Sequence, residues 1–302
     1  MSATLPYARY LAAREFMLRE ARPLDLALWR HRFEGGPAKA IVDGLAPFQN
    51  ADGGFGHGLE PDLSTPASTA IATSVGLRHL RRAGVSADHP MVTRTMSWLA
   101  ANITDGVWPI IGPQVDEGPH APWWSWSEDL AATWQGFQFN PTGEILAALY
   151  EFRGAAPAGL VDAAEARMRR TIAEFGAIEG AYDLRCAVIL AETKAAPRDL
   201  RTALCDLLLR SVAAHDADDE HAPALDLAPE PDSLLAAALE DQIEPAAAAL
   251  IAGQQPDGGW APFWDWAFVD EAAWTVAKQA WRGGLTRLAI EALSAHGRVE
   301  AA

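Results

Sequence analysis

Apolar positions along the chain follow two helical patterns that take turns. Over residues 67–82, Ala70, Ile71, Ala72, Val75, Gly76 and Leu77 fall on most faces of a helical wheel, which predicts a helix buried nearly all round. The next stretch, 89–102, is amphipathic and turns Arg94 to water. The alternation continues, with 141–152 carrying Ile145, Leu146 and Leu149 and 160–175 carrying Glu165, Arg167, Arg169 and Arg170. Residues 181–191 are apolar again, and 197–214 present Arg198, Arg201 and Arg210. Helices are predicted in the same way over 6–20, 23–33 and 37–48 at the start, and over 233–239, 242–252, 271–281 and 285–295 at the end. Inner helices thus alternate with outer ones, and the fold class is all-α.

Turns in matching slots separate each outer helix from the following inner one. Two of them repeat one phrase, Gln49-Asn50-Ala51-Asp52-Gly53-Gly54-Phe55 and Gln254-Gln255-Pro256-Asp257-Gly258-Gly259-Trp260. Asp-Gly-Gly predicts a tight turn, because glycine adopts positive φ freely. Weaker copies are Asp105-Gly106-Val107-Trp108, Glu179-Gly180-Ala181-Tyr182 and Asp218-Asp219-Glu220. Spacing of roughly 40–50 residues, with one longer interval, gives about six helix pairs, enough to close a ring. The expectation is a single domain over 1–302, an α/α toroid or (α/α)6 barrel, with a Trp-rich loop insertion at about 110–139.

Charge and composition narrow the partners. The 302 residues carry a formal net charge of −16, and the lysines are Lys39, Lys194 and Lys278, so no nucleic-acid surface is expected. Two cysteines, Cys186 and Cys205, argue for a reducing compartment. No transmembrane segment or secretion signal is evident, and the expected localisation is cytoplasmic.

The paired Gln-x-x-Asp-Gly-Gly-aromatic phrases resemble the repeats of the terpenoid cyclase and protein prenyltransferase superfamily, whose α/α toroids carry such turns between outer and inner helices. The resemblance implies a cavity that opens where the inner helices begin, of the squalene-hopene cyclase kind. Type II cyclases start the reaction with an acid, the middle Asp of an Asp-x-Asp-Asp string. That string occurs here at Asp216-Ala217-Asp218-Asp219, in a repeat slot where it reads as a degraded turn. Val269-Asp270-Glu271-Ala272-Ala273 is similar to the family's Val-Asp-Asp-Thr-Ala and begins an inner helix. The prenyltransferase branch implies zinc held by Asp, Cys and His. Asp183 and Cys186, with His57, His120 or His221, are the nearest counterparts, and they read instead as a capping acid and a core thiol, so no metal or other cofactor is expected.

An acid or amide stands near the start of each inner helix: Asp25, Asp62, Asn140, Asp183, Asp232 and Asp270. Capping explains single acids, but Glu60 beside Asp62 and Glu271 beside Asp270 form pairs that raise one pKa by repulsion. The expected catalytic residues are therefore Asp62 or Asp270, tuned by Glu60 and Glu271. Trp123, Trp124, Trp126 and Trp134 in the insertion, and Trp260, Trp264 and Trp266 after the second Gly-Gly turn, offer indole faces for developing cations. His57, His120, Asn140, Tyr182 and Asp183 complete the expected substrate-binding set. The resemblance thus implies acid-initiated cyclisation or isomerisation of an apolar isoprenoid. Alternatives are a carbohydrate-active (α/α)6 enzyme with sugars stacked on the same tryptophans, and a non-catalytic binding toroid.

Overall fold

The computed structural model describes residues 3–129, 138–214 and 224–301. Among these residues it forms α-helices and 3₁₀ turns with no β-strand, so the chain is all-α as the periodicity predicts. No helix among them is long and apolar enough to cross a membrane. The helices fall into two compact units, Leu45–Asp216 and a second built from both chain ends, Met1–Gly44 with Ala217–Ala302.

In chain order the helices are α1 (Tyr7–Glu20), α2 (Pro23–Phe33), α3 (Ala38–Leu45), α4 (Ala70–Arg82), α5 (Pro90–Asn102) and α6 (Phe139–Glu151). They continue with α7 (Leu160–Glu174), α8 (Ala181–Glu192), α9 (Arg198–Ala214), α10 (Ala224–Leu227), α11 (Glu240–Ala252) and α12 (Glu271–Ala295). In the middle unit α4, α6 and α8 lie side by side. Thr69 caps α4, its Oγ1 accepting from Ala72 N at 3.2 Å, and Ala70 to Leu77 are all buried. This is the helix predicted to be enclosed. A Cβ on Gly143 of α6 would lie 2.7 Å from Cys186 O of α8, so glycine is what lets these two backbones approach so closely. The amphipathic α5, α7 and α9 keep their charged positions half-buried or exposed, and inner and outer helices alternate within this unit.

In the terminal unit α1, α2 and α12 pack around Phe16, Met17, Trp29, Trp260, Ile290 and Leu293. Two local expectations change here. The helices predicted over 271–281 and 285–295 are one continuous helix, α12. Gly283 sits where a Cβ would be 3.3 Å from Ala21 Cβ and from Asp25 Oδ2, so these glycines make room for a neighbour instead of ending the helix. Residues 233–239, predicted as a helix, are consecutive turns. Ser233 Oγ accepts from Glu230 N at 3.1 Å, and such local side-chain bonding competes with a helix of only two turns.

Each unit holds one copy of the repeated phrase, built in the same way. Gly53 and Gly258 take φ of +98° and +95°. Asp52 Oδ1 accepts from Gly54 N at 3.0 Å, and Asp257 Oδ1 from Gly259 N at 3.2 Å. The glutamine amide then pins the turn to a neighbouring helix: Gln49 Nε2 donates to Gly53 O (3.1 Å) and Met91 O (2.9 Å), Gln254 Nε2 to Gly258 O (2.8 Å) and Arg9 O (2.9 Å). Arg94 and Arg9 each donate to the side-chain oxygen of the glutamine, Gln49 and Gln254 respectively. The aromatic residue's N–H goes to a buried threonine, Phe55 N to Thr73 Oγ1 (3.1 Å) and Trp260 N to Thr286 Oγ1 (3.0 Å). Asp105-Gly106-Val107-Trp108 is a third, looser copy. Gly106 has φ +79°, and Trp108 Nε1 donates to Leu99 O at 2.8 Å much as Trp260 Nε1 donates to Leu250 O at 2.7 Å. Replacing Thr73 or Thr286 by Val strands a buried donor. We expect each to lower unfolding free energy by about 1–3 kcal/mol in urea titrations, with the same sign and similar size at both sites.

Candidate functional site

The middle unit gathers its polar chemistry where α4, α6 and α8 meet. Arg78 of α4 reaches Glu144 of α6 with two hydrogen bonds, Nε to Oε1 and Nη2 to Oε2, both at 2.5 Å. The Glu144 side chain is 1% exposed and that of Arg78 26%, so this is an ion pair largely removed from water. Burial alone raises the Glu144 carboxyl, and the charge and paired donors of Arg78 more than reverse that, holding it below the usual carboxylate range. Glu60, half-buried in the loop before α4, lies close enough to add to the field on Arg78.

The first turn of α8 brings Asp183 against the start of α6. Asp183 Oδ1 accepts from Asn140 N at 2.8 Å, and Cys186, one turn on, sets its thiol 3.7 Å from Asn140 Oδ1. Burial pushes the Asp183 carboxyl above its ordinary value against the opposing pull of the Asn140 and Phe139 N–H groups. Burial, seconded by Glu144, pushes the Cys186 thiol up to about 12, so it is a neutral thiol at physiological pH and neither nucleophile nor ready metal ligand. Among the described residues no three His, Cys, Asp or Glu side chains converge to hold a metal ion.

Further predicted residues lie in the loops of this unit. Asp62 is buried, and its carbonyl accepts from Ala121 N at 2.9 Å, while Leu63 bridges to His120. His120 Nε2 is 3.2 Å from Asp116 Oδ1, and its other ring nitrogen is 3.0 Å from Ala121 O. The insertion is therefore tied to the loop that carries Glu60 and Asp62. Trp124 and Trp126 pack on Leu63, Ile71, Ile110, Ile111 and Val115, whereas Trp123 is 42% exposed. His57, at φ +56°, is exposed and 2.8 Å from Asn50 Oδ1. Tyr182 is exposed, with the Arg185 guanidinium 5.7 Å from its ring centroid.

The terminal unit holds the remaining candidates. Asp270, expected as a paired catalytic acid, is exposed and caps α12, its Oδ1 accepting from Ala273 N at 2.9 Å. Glu271 lines an open recess of about 400 Å³ with Asp265, Trp274, Lys278 and Arg282. Trp260 and Trp266 are core residues, the latter 5.4 Å from the Trp274 ring, and Trp264 stacks edge-on with Trp281 at 5.1 Å. Trp134, His221 and the Asp216–Asp219 string lie outside the described residues.

Sequence reasoning passed over Arg78, Glu144 and Arg185. Each is a charge inside a helix otherwise read as apolar and inner, and that conflict was the available signal: a charge on an enclosed helix needs a partner or a purpose.

No protein-family model matches the chain, and no curated protein matches it.

Proposed function

We propose that the chain is an α/α toroid enzyme whose Asp183 serves as a general acid toward a small molecule bound where the inner helices begin. The carrying observation is that Asp183 combines a half-buried position with a carboxyl pushed up by burial, close to the Arg78–Glu144 ion pair, whose own charges cancel. A carboxyl pushed up by burial holds its proton more readily than an exposed one and can deliver it to an alkene carbon, and the resulting cation is discharged by proton loss or by water. Supporting this reading are the twin Asp-Gly-Gly turns, which resemble those of terpenoid cyclases, and the insertion tryptophans, whose faces suit a cation. The proposed reaction is cyclisation or isomerisation of an isoprenoid, with Glu60 and Asp62 as polar neighbours.

A carbohydrate-active reading has one observation in its favour: Trp123 and Tyr182 keep exposed aromatic faces of the kind that stack on sugars. Incubating the protein with linear isoprenoids and with oligosaccharides, followed by mass spectrometry, separates the two. We expect Asp183→Asn to lose at least about a hundredfold in turnover with folding intact. Turnover undiminished in that variant would remove Asp183 from the role of acid.

A further inference from the structure

Among the described residues Arg185 forms no hydrogen bond or ion pair. Its Nε is buried without a hydrogen-bond partner, and its one contact of note is the Tyr182 ring. Arg282, Arg287 and Arg298 also bury an unmatched Nε, but each rests another guanidinium nitrogen on a carboxylate, Asp257 at 2.7 Å, Glu291 at 2.7 Å and Glu244 at 2.5 Å. In a chain with 40 acids to 24 basic residues, an arginine left over beside a buried site is out of keeping with its surroundings.

Its position explains what it is left over for. Helical side chains lean toward the N-terminus, and Arg185 reaches back over Tyr182 to the first turn of α8, where Gly180 supplies no capping side chain. Asp183, two positions away, gives its Oδ1 to Asn140 N and holds its Oδ2 beside Gly180, so it forms no hydrogen bond with Arg185 among the described residues. Arg78, on α4 beyond α6, is occupied by Glu144 through both Nε and Nη2. Among the described residues of this cluster, Arg185 is thus the guanidinium still able to offer its fork to a ligand.

We infer that Arg185 is the recognition point for a carboxylate on the substrate, so that the molecule taken up here is a small organic acid. A planar carboxylate matches the guanidinium fork with two parallel hydrogen bonds. A phosphate ester fits less well, because a second negative charge would face Glu144, with which Arg185 already interacts, and no further free cation stands in the cluster among the described residues. The idea rests on the proposed site for its location but not on the chemistry assigned to it.

Calorimetric titration of the full chain tests it, since binding is read whether or not the ligand reacts. The probes are geranic acid, geraniol, geranyl phosphate, glucuronate and glucose. At least one acid is expected to bind about tenfold or more tighter than its neutral counterpart. Arg185→Gln should remove that margin and Arg185→Lys keep part of it. Because Arg185 forms no hydrogen bond or ion pair among the described residues, Arg185→Gln should melt within about 2 °C of the parent. Equal binding of acid and neutral probe, tighter binding of the phosphate, no binding of either acid, or a large drop in melting temperature each overturns the inference. Glucuronate binding without geranic acid binding would uphold it and sink the isoprenoid reading. Arg185-dependent acid binding alongside unimpaired turnover of Asp183→Asn would uphold it and sink the assigned acid.

Discussion

Glu144→Gln is expected to lower unfolding free energy by about 3–5 kcal/mol, the range for stranding one member of a buried ion pair. The glutamine fills the same volume, and its oxygen can still accept one bond. It leaves the half-buried Arg78 guanidinium, among the described residues, with the half-buried Glu60 to offset its charge, and turns an amide N–H₂ toward an N–H donor. Arg78→Met together with Glu144→Leu should recover most of the loss, because two apolar side chains of similar volume need neither charge nor partner. Urea titrations of the single and double variants measure both. The pH dependence adds an independent check. Glu144 has a folded pKa below its unfolded value, which lies near ~4.3. Its contribution is therefore fully present above that value and lost as pH falls through the folded one. The stability gap between the parent and Glu144→Gln should hold steady from about pH 6 to 8 and shrink in acid. A gap that widened in acid would mean that Glu144 is not held ionised by Arg78.

How much of this was legible in the sequence depends on whether a residue's role is local. Helix periodicity is local, and α4 to α9 lie where the alternation of apolar and charged stretches puts them. The Gln-x-x-Asp-Gly-Gly-aromatic phrase is also local in its turn, and both copies form the same hydrogen bonds within four residues. Their outside partners, Thr73 with Met91 and Thr286 with Arg9, carry no mark in the sequence. The two failures, α12 continuing through Gly283-Gly284 and 233–239 forming turns, are places where a packing contact or a serine bond outweighed propensity.

The candidate site was legible as a list of loop acids and tryptophans, but its polar core was not. Asp183 and Asn140 were named from their positions at helix starts, and the structure joins them by a direct hydrogen bond. Arg78 and Glu144 are 66 residues apart, and their bidentate contact depends on α4 and α6 being neighbours, which periodicity does not encode. Trp260 and Trp266 look like Trp124 and Trp126 in the sequence, each a tryptophan in a Pro- or Gly-rich loop. Only burial shows that the first two belong to a core.

Gly53→Ala and Gly258→Ala are expected to lower unfolding free energy by about 3–5 kcal/mol each, for two reasons that add. Both residues hold positive φ, +98° and +95°, which disfavours any side chain by roughly 1–2 kcal/mol. A new Cβ would also lie 2.3 Å from Arg94 O in one case and 2.2 Å from Ala12 O in the other, well inside contact distance with a helix backbone that cannot swing aside. Relief requires the turn to lift off its helix, and the bonds from Gln49 or Gln254 would go with it. Gly84 and Gly159 separate the two causes, since both have positive φ, +61° and +81°, with nothing within 4 Å of a Cβ. Alanine there should lower stability by only about 1–2 kcal/mol. If all four substitutions proved equally mild by thermal unfolding, the close docking of the repeated turn would not be a source of stability. The paired design predicts the reverse, with similar large losses at Gly53 and Gly258, because the same phrase is seated on a helix in the same way in each unit.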